Sequence, residues 1–143
     1  DVIMIGEIRD AATAQLAMQA AQTGHLVLST LHTRNAHGAL SRLKNLGVDK
    51  ETIETCLLSV SSQRLVRRIC QSCRGTPNVA TKFCQKCKGL GECGRIGVHE
   101  VFNKSQILTP SIACQSMWNA GVEHVKQGFI SQAALEAEMG ILP

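Results

Sequence analysis

Tyrosine is absent, tryptophan occurs once and phenylalanine three times in 143 residues. So small an aromatic supply excludes a base-stacking platform for single-stranded nucleic acid and leaves the core to aliphatic side chains. No run of eighteen apolar residues occurs, so no segment reads as a membrane-spanning helix. Charge of one sign is also scarce: 15 Lys and Arg stand against 11 Asp and Glu, a net +4 that suits phosphates without demanding nucleic acid. Neither an initiator Met nor a basic-then-apolar leader precedes the Val-Ile-Met-Ile run after Asp1, and the chain reads as a piece of something longer. Internal repeats and low-complexity tracts are not found. What is present, 44% hydrophobic and 18% charged residues, suits one globular core with a small appendage and excludes disorder, collagen and coiled coil.

Seven cysteines are present, and four fall into Cys70-Gln-Ser-Cys73 and Cys84-Gln-Lys-Cys87. Two thiolates separated by two residues meet one ion from a single turn, and a second such turn completes a closed tetrahedral zinc site. Redox dithiols or disulfides are the alternative, although a disulfide framework usually brings an even count and a signal peptide. Cys56 and Cys114 fall in the apolar phase of predicted helices and read as small buried thiols. Cys93 is either a spare ligand or a packed neighbour.

Val2 to Ile5 is a β-branched apolar run ending at Gly6, as a strand buried on both faces would be. Asp10 caps a predicted helix from Ala11 to about Gln22, stopped by Gly24. Leu26 to Thr30 is a second short strand. Asn35 to Leu46 carries helical spacing and stops at Gly47, and Asp49 opens another helix through Ile53, Leu57, Leu58 and Val60 to about Arg68. Strand, helix, strand, helix is the order of an α/β fold. Cys70 to Gly97 is glycine-rich and lacks apolar periodicity, so a metal must stand in for its core. Arg95 to Phe102 alternates like a strand, and small helices capped by Ser111 and Ser131 follow, parted by Gly128.

A buried strand that delivers an acid at its carboxyl end is how P-loop nucleotidases set a carboxylate beside Mg²⁺ and the attacking water; in DVIMIGEIRD that acid is Glu7. A solvated turn in which Glu7 and Arg9 face water is the bland alternative. The strand within TGHLVLSTLHT is bracketed by His25 and His32, and a histidine past a strand's carboxyl end lies where ligands of open α/β sheets sit. His37 and His124 read as satisfied turn residues without a role in chemistry.

The order DVIMIGEIRD, helix, TGHLVLSTLHT, helix, QRLVRR, paired C-x-x-C and GRIGVHEVF resembles the carboxyl-terminal half of the secretion ATPase superfamily. The branch it is most similar to comprises the type II secretion and type IV pilus assembly ATPases. The resemblance implies a partial RecA-like P-loop ATPase core over residues 1–68, an inserted tetracysteine zinc-binding subdomain over 69–97, and a carboxyl-terminal strand and helical segment over 98–143. It implies catalytic roles for Glu7, as base or water-positioner, and for His32, sensing the γ-phosphate. His25, Thr30 and Arg9 are implied at the nucleotide, with Arg9 and Asp10 holding the turn or meeting a neighbouring subunit. Cys70, Cys73, Cys84 and Cys87 match the zinc ligands, and Arg64, Arg67 and Arg68 a basic segment near the nucleotide. Implied cofactors are structural Zn²⁺ and Mg²⁺ with ATP. The implied partners are ATP, further copies in a hexameric ring, and an inner-membrane platform protein met from the cytoplasmic side, with no nucleic acid.

The sequence departs from that pattern in three respects. Ten residues between the cysteine pairs is short, and Glu92 and Cys93 stand where an aromatic and a basic residue are expected. No G-x-x-x-x-G-K-[ST] occurs, so the amide cradle, its lysine and the hydroxyl ligand of Mg²⁺ are missing and the chain alone is expected to be inactive. Two other readings stay open. One is a zinc-ribbon module binding nucleic acid or protein through Arg64, Arg67, Arg68, Arg74, Lys82, Lys86 and Lys88; the other is a truncated, non-hydrolysing scaffold.

Overall fold

The computed structural model describes residues 1–33, 35–76, 78–79, 82–109 and 116–140. The fold is mixed α/β and divides into two compact units, Asp1–Ser62 with Val101–Cys114 and Gln63–Glu100 with Gln115–Pro143.

The first unit opens with strand β1 (Val2–Ile5), helix α1 (Ala11–Gln22) and strand β2 (Leu26–Ser29). β1 and β2 pair in parallel, Val2 beside Leu26 and Ile5 beside Ser29. Asp10 starts α1 by accepting from the Thr13 amide, and that bond holds its carboxyl below the usual value. Gly24, at φ +93°, takes the left-handed conformation that ends the helix cheaply only as glycine. Ala14 and Ala17 are the buried positions of α1, so the helix meets its neighbours through small side chains. They join Ile8, Leu43, Leu46, Val48 and Ile53 in the core; helix α2 (Ala36–Asn45) supplies Leu43, helix α3 (Lys50–Cys56) supplies Ile53, and Leu46 and Val48 come from the link between them. Asn35 and Asp49 cap those two helices from their side chains.

The helix expected from Asp49 to Arg68 is corrected. α3 ends at Cys56, and Ser59–Ile69 is strand β3, which pairs with strand β6 (Glu92–Asn103). Ile53, Leu57 and Val60 do carry helical spacing, but Ser59, Ser61 and Ser62 are weak helix formers. From Ser59 onward exposed and sheltered positions alternate with period two. Arg64, Arg67 and Arg68 therefore sit on a strand and not on a helix face.

β6 covers the Arg95–Phe102 strand expected from the sequence and extends it at both ends. A short helix, α4 (Lys104–Leu108), follows it unforeseen; Asn103 and Gln106 exchange the two bonds of a capping box. Phe102, Ala36 and Ile107 form a second small cluster in this unit.

In the second unit, the antiparallel pair β4 (Asn78–Val79) and β5 (Lys82–Phe83) lies between the two cysteine turns. Helices α5 (Met117–Lys126) and α6 (Gln132–Met139) are capped by Ser116 and Ser131 and parted by Gly128 at φ +73°. Val66, Val98, Met117, Ile130, Ala134 and Leu135 form their core. Buried Glu100 accepts from the Met117 amide at 3.2 Å, placing a carboxylate at the start of α5. The expected cap Ser111 and the expected buried thiol Cys114 lie outside the described residues.

Candidate functional site

In a parallel β-α-β arrangement both strands end at the same edge, so whatever follows each strand is brought together. After β1 come Gly6, Glu7, Ile8 and Arg9; after β2 come Thr30, Leu31 and His32. The Glu7 carboxylate receives His32 Nε2 at 2.7 Å through one oxygen and Arg9 Nε through the other. Its side chain is only 17% exposed, whereas His32 and Arg9 are 83% and 77% exposed. A half-sheltered acid thus lies beneath two side chains that reach into solvent.

The backbone beneath is held from several directions. Thr30 Oγ1 donates to the Gly6 carbonyl at 2.7 Å, and the Ile8 amide donates to the Thr30 carbonyl at 3.0 Å. Arg42, on α2, donates from Nη2 to the Arg9 carbonyl at 3.1 Å. Sequence reasoning does not single out Arg42, whose helical spacing gives no sign of where its guanidinium reaches.

Glu7, Arg9, Thr30 and His32 are therefore gathered at one edge, and His25 is not. It precedes β2, where its ring Nδ1 lies 3.2 Å from both Thr23 Oγ1 and the Ala20 carbonyl at the end of α1. The four residues of β2 separate it from Thr30, five steps of ~3.3 Å or about 16 Å. His37 and His124, expected in turns, lie instead within α2 and α5, where His37 packs on Phe102 and His124 on Phe129.

The second cluster is formed by Cys70, Cys73, Cys84 and Cys87, whose sulfurs all lie within 4.8 Å of one another. Cys70 and Cys84 are 3.9 Å apart and Cys73 and Cys87 3.7 Å, far beyond a disulfide bond of about 2.05 Å. A tetrahedron with metal–sulfur bonds of about 2.3 Å has edges of about 3.8 Å, so the group is spaced to hold a metal ion. Cys93 stands outside it, with its sulfur 3.9 Å from the Lys86 carbonyl.

The two cysteine turns are copies, a short repeat where none was expected: Cys-Gln-Ser-Cys-Arg-Gly and Cys-Gln-Lys-Cys-Lys-Gly. Arg74 and Lys88 take φ +50° and +51°, and Gly75 and Gly89 take φ +82° and +80°. Consecutive left-handed residues wrap the chain around the sulfurs, and only the second of each pair is a residue without a Cβ penalty. Thr76 and Leu90 close equivalent turns onto the Cys73 and Cys87 carbonyls at 2.9 and 3.0 Å. Even the residue before each repeat matches: Ile69 lies against Gly75, and Phe83 against Gly89, where a Cβ would stand 2.6 Å from the ring.

Amide groups aimed at sulfur favour the thiolate, the form a metal takes. The bond from the Cys73 amide is the chief reason the Cys70 thiol is lowered to about 7. Burial, followed by the Cys87 sulfur, pushes the Cys73 thiol up to about 12. For Cys87 burial raises the value, but the Gly91 amide at 3.3 Å and the neighbouring groups outweigh it and leave it lowered.

Two of the basic residues have partners within the second unit. Arg67 pairs with Glu92 at 3.9 Å, and the Arg68 guanidinium lies 5.6 Å above the Phe129 ring. Among the described residues no helix is long and apolar enough to cross a membrane.

Known proteins resemble the chain in sequence and in fold. Type II secretion system protein E of Klebsiella pneumoniae is 48% identical over 118 residues, covering 71% of this chain and 24% of that protein. The protein transport protein HofB homolog of Haemophilus influenzae is 43% identical over 141 residues, covering 98% and 29%. Type II secretion system ATPase E of Vibrio cholerae is 39% identical over 146 residues, covering 88% and 29%. The chain thus spans less than a third of the length of these relatives. Among solved structures, the ATPase DotB of Legionella pneumophila shares the fold with a TM-score of 0.69 at 21% identity, over 95% of this chain and 37% of that one. The model of the family described as "Type II/IV secretion system protein" matches residues 1–141, and the chain belongs to that family.

Proposed function

We propose that the chain is the acid- and metal-bearing part of an ATPase that hydrolyses ATP to power type II secretion or type IV pilus assembly. The observation that carries this reading is the meeting of Glu7 and His32 at the carboxyl edge of a parallel strand pair, within 2.7 Å of each other. Phosphoryl transfer to water needs positioning and charge stabilisation more than covalent help. Glu7, sheltered but reachable, would orient the water for in-line attack. His32 Nε2, now on Glu7, would turn to the γ-phosphate when ATP enters, so that nucleotide and acid compete for one side chain. Arg9, exposed above the same carboxylate, would contact the nucleotide or an adjoining subunit.

ATP enters with Mg²⁺ as its substrate complex. The P-loop hydroxyl that would complete the ion's shell is not in this sequence, so Glu7 is the carboxylate that the edge offers it. A RecA-like core is supported by β1 and β2 themselves. Val2, Met4, Leu26 and Leu28 are 45–68% exposed on one face of this pair, and parallel sheets are covered on both faces. Further elements of the complete polypeptide would cover them. Residues 69–97 form the metal-bearing insert, and the donor set and spacing favour Zn²⁺ in a closed, structural role. In this reading the complete protein works as a hexameric ring at the cytoplasmic face of the inner membrane, pulling on a platform protein. His25, at the opposite end of β2, takes no part in hydrolysis.

Phosphate release tests the proposal. The complete polypeptide is expected to turn over Mg-ATP, and the 143-residue chain alone is expected to show no turnover. Hydrolysis by the chain alone would require a phosphate cradle that its sequence lacks.

A further inference from the structure

We infer that Thr30 is a positioning residue for Glu7, its hydroxyl locking the turn that carries the carboxylate onto the strand end that carries His32. The inference rests on the hydrolytic reading above and departs from a direct nucleotide contact by Thr30.

Thr30 holds the chain on both sides of Glu7. Its Oγ1 donates to the carbonyl of Gly6 at 2.7 Å, and its own carbonyl accepts from the amide of Ile8 at 3.0 Å. The Ile8 side chain, 5% exposed, anchors the turn in the core, and Arg42 holds the next carbonyl, that of Arg9, at 3.1 Å. Glu7 is thus a side chain in a stretch whose backbone is fixed before and after it.

The hydroxyl is needed because of Gly6. A Cβ at that position would meet nothing within 4 Å, so the residue has no steric partner and glycine adds backbone freedom just ahead of the acid. That freedom is restrained from outside the turn, where Thr30 Oγ1 holds the Gly6 carbonyl. A hydroxyl has one proton to donate. Here it is engaged by Gly6, leaving only lone pairs, which repel phosphate oxygens. The same bond therefore argues for positioning and against phosphate binding. It also spans 24 residues of sequence, tying the Glu7 turn to the strand end that bears the side chain Glu7 bonds.

The test is steady-state ATP hydrolysis by the complete polypeptide, with kcat normalised to titrated nucleotide sites. Thr30→Val keeps the shape and removes the donor; Thr30→Ser keeps the donor. Thr30→Val is expected to lower kcat about tenfold, the scale of a displaced catalytic group, with KM for ATP within about twofold. Thr30→Ser is expected to stay within about twofold of the parent in both. If Thr30→Val fails to fold, Thr30→Ala carries the same comparison. An unchanged kcat in the donor-less variant overturns the inference. So does a tenfold rise in KM with kcat retained, which would make the hydroxyl a nucleotide ligand. Glu7→Gln is measured alongside. If it turns over at the parent rate, the hydrolytic reading falls and the inference with it; if it is dead while Thr30→Val is fully active, only the role of Thr30 is refuted.

Discussion

Gly121 sits inside α5 against Leu135 of α6, and Gly121→Ala sets two known effects against each other. Replacing an interior helical glycine by alanine ordinarily gains about 1 kcal/mol. Here the added methyl would lie 3.1 Å from Leu135 Cδ2, 3.3 Å from Cγ and closer still to Cδ1. Carbon atoms prefer about 3.5–4.0 Å, so α6 or the leucine must give way. Leu135 is fully buried in a core with Val66, Val98 and Ile130, each no more than 1% exposed, which leaves it little room to shift. Overpacking of this kind costs about 1–3 kcal/mol. The clash should therefore outweigh the helical gain, for a net loss of about 1 kcal/mol and a melting temperature lower by roughly 4–8 °C in a unit of this size. Leu135→Ala alone should cost about 2–5 kcal/mol by leaving a cavity. In that background the methyl introduced at position 121 enters vacated space, so Gly121→Ala should reverse sign and become stabilising. Scanning calorimetry on the four proteins of this cycle decides the matter. Stabilisation by Gly121→Ala in both backgrounds would refute the close approach of α5 and α6.

Elemental analysis of freshly reduced protein should give one zinc per chain, and Cys87→Ser should abolish it; substoichiometric zinc in the unmutated chain would contradict a closed tetrathiolate site. Chelation should raise amide exchange across residues 70–97, which carry little core of their own, while leaving α1 protected. Asp10 and Asp49 are both held below their ordinary 3.8 by bonds from Thr13 and Thr52, so their contribution to stability is complete above about 3.8 and is lost as pH falls through the lower folded values. Asp10→Asn with Asp49→Asn keeps the capping oxygens without the charge, and acid melts of the pair should show a flatter dependence below pH ~4; an unchanged acid slope would remove these caps as its source. By calorimetry the 143-residue chain should bind Mg-ATP only feebly, and a low-micromolar dissociation constant would show that phosphate is held by groups outside this account.

Many of the helices in both units are legible in the sequence because their signals are local. Asp10, Asn35, Asp49 and Ser131 each bond an amide three residues on, and Gly24, Gly47 and Gly128 mark helix ends by left-handed geometry. β3 escapes a sequence reading because Ile53, Leu57 and Val60 satisfy a helical period while the decisive fact, pairing with β6, lies about thirty residues away in the chain. The chemistry of the site follows the same division. Glu7 and His32 are legible because each follows an apolar run, and the four cysteines because their spacing is a ligand pattern. The grips of Thr30 and Arg42 on the Glu7 turn depend on how β1, β2 and α2 are set together, which no window of sequence contains. The six-residue repeat around the cysteines is too short to register as a repeat until its backbone angles coincide.

The claim that matters most is that Glu7 is the group that directs water onto the γ-phosphate. Glu7→Gln in the complete polypeptide keeps the shape and hydrogen-bonding reach of the side chain and removes its charge. Single-turnover hydrolysis of Mg-ATP, with binding measured in parallel, reads the effect directly. The account predicts a rate lower by about a hundredfold or more with ATP affinity largely retained. Hydrolysis at the parent rate would show that another group does the work and would contradict the assignment of this site.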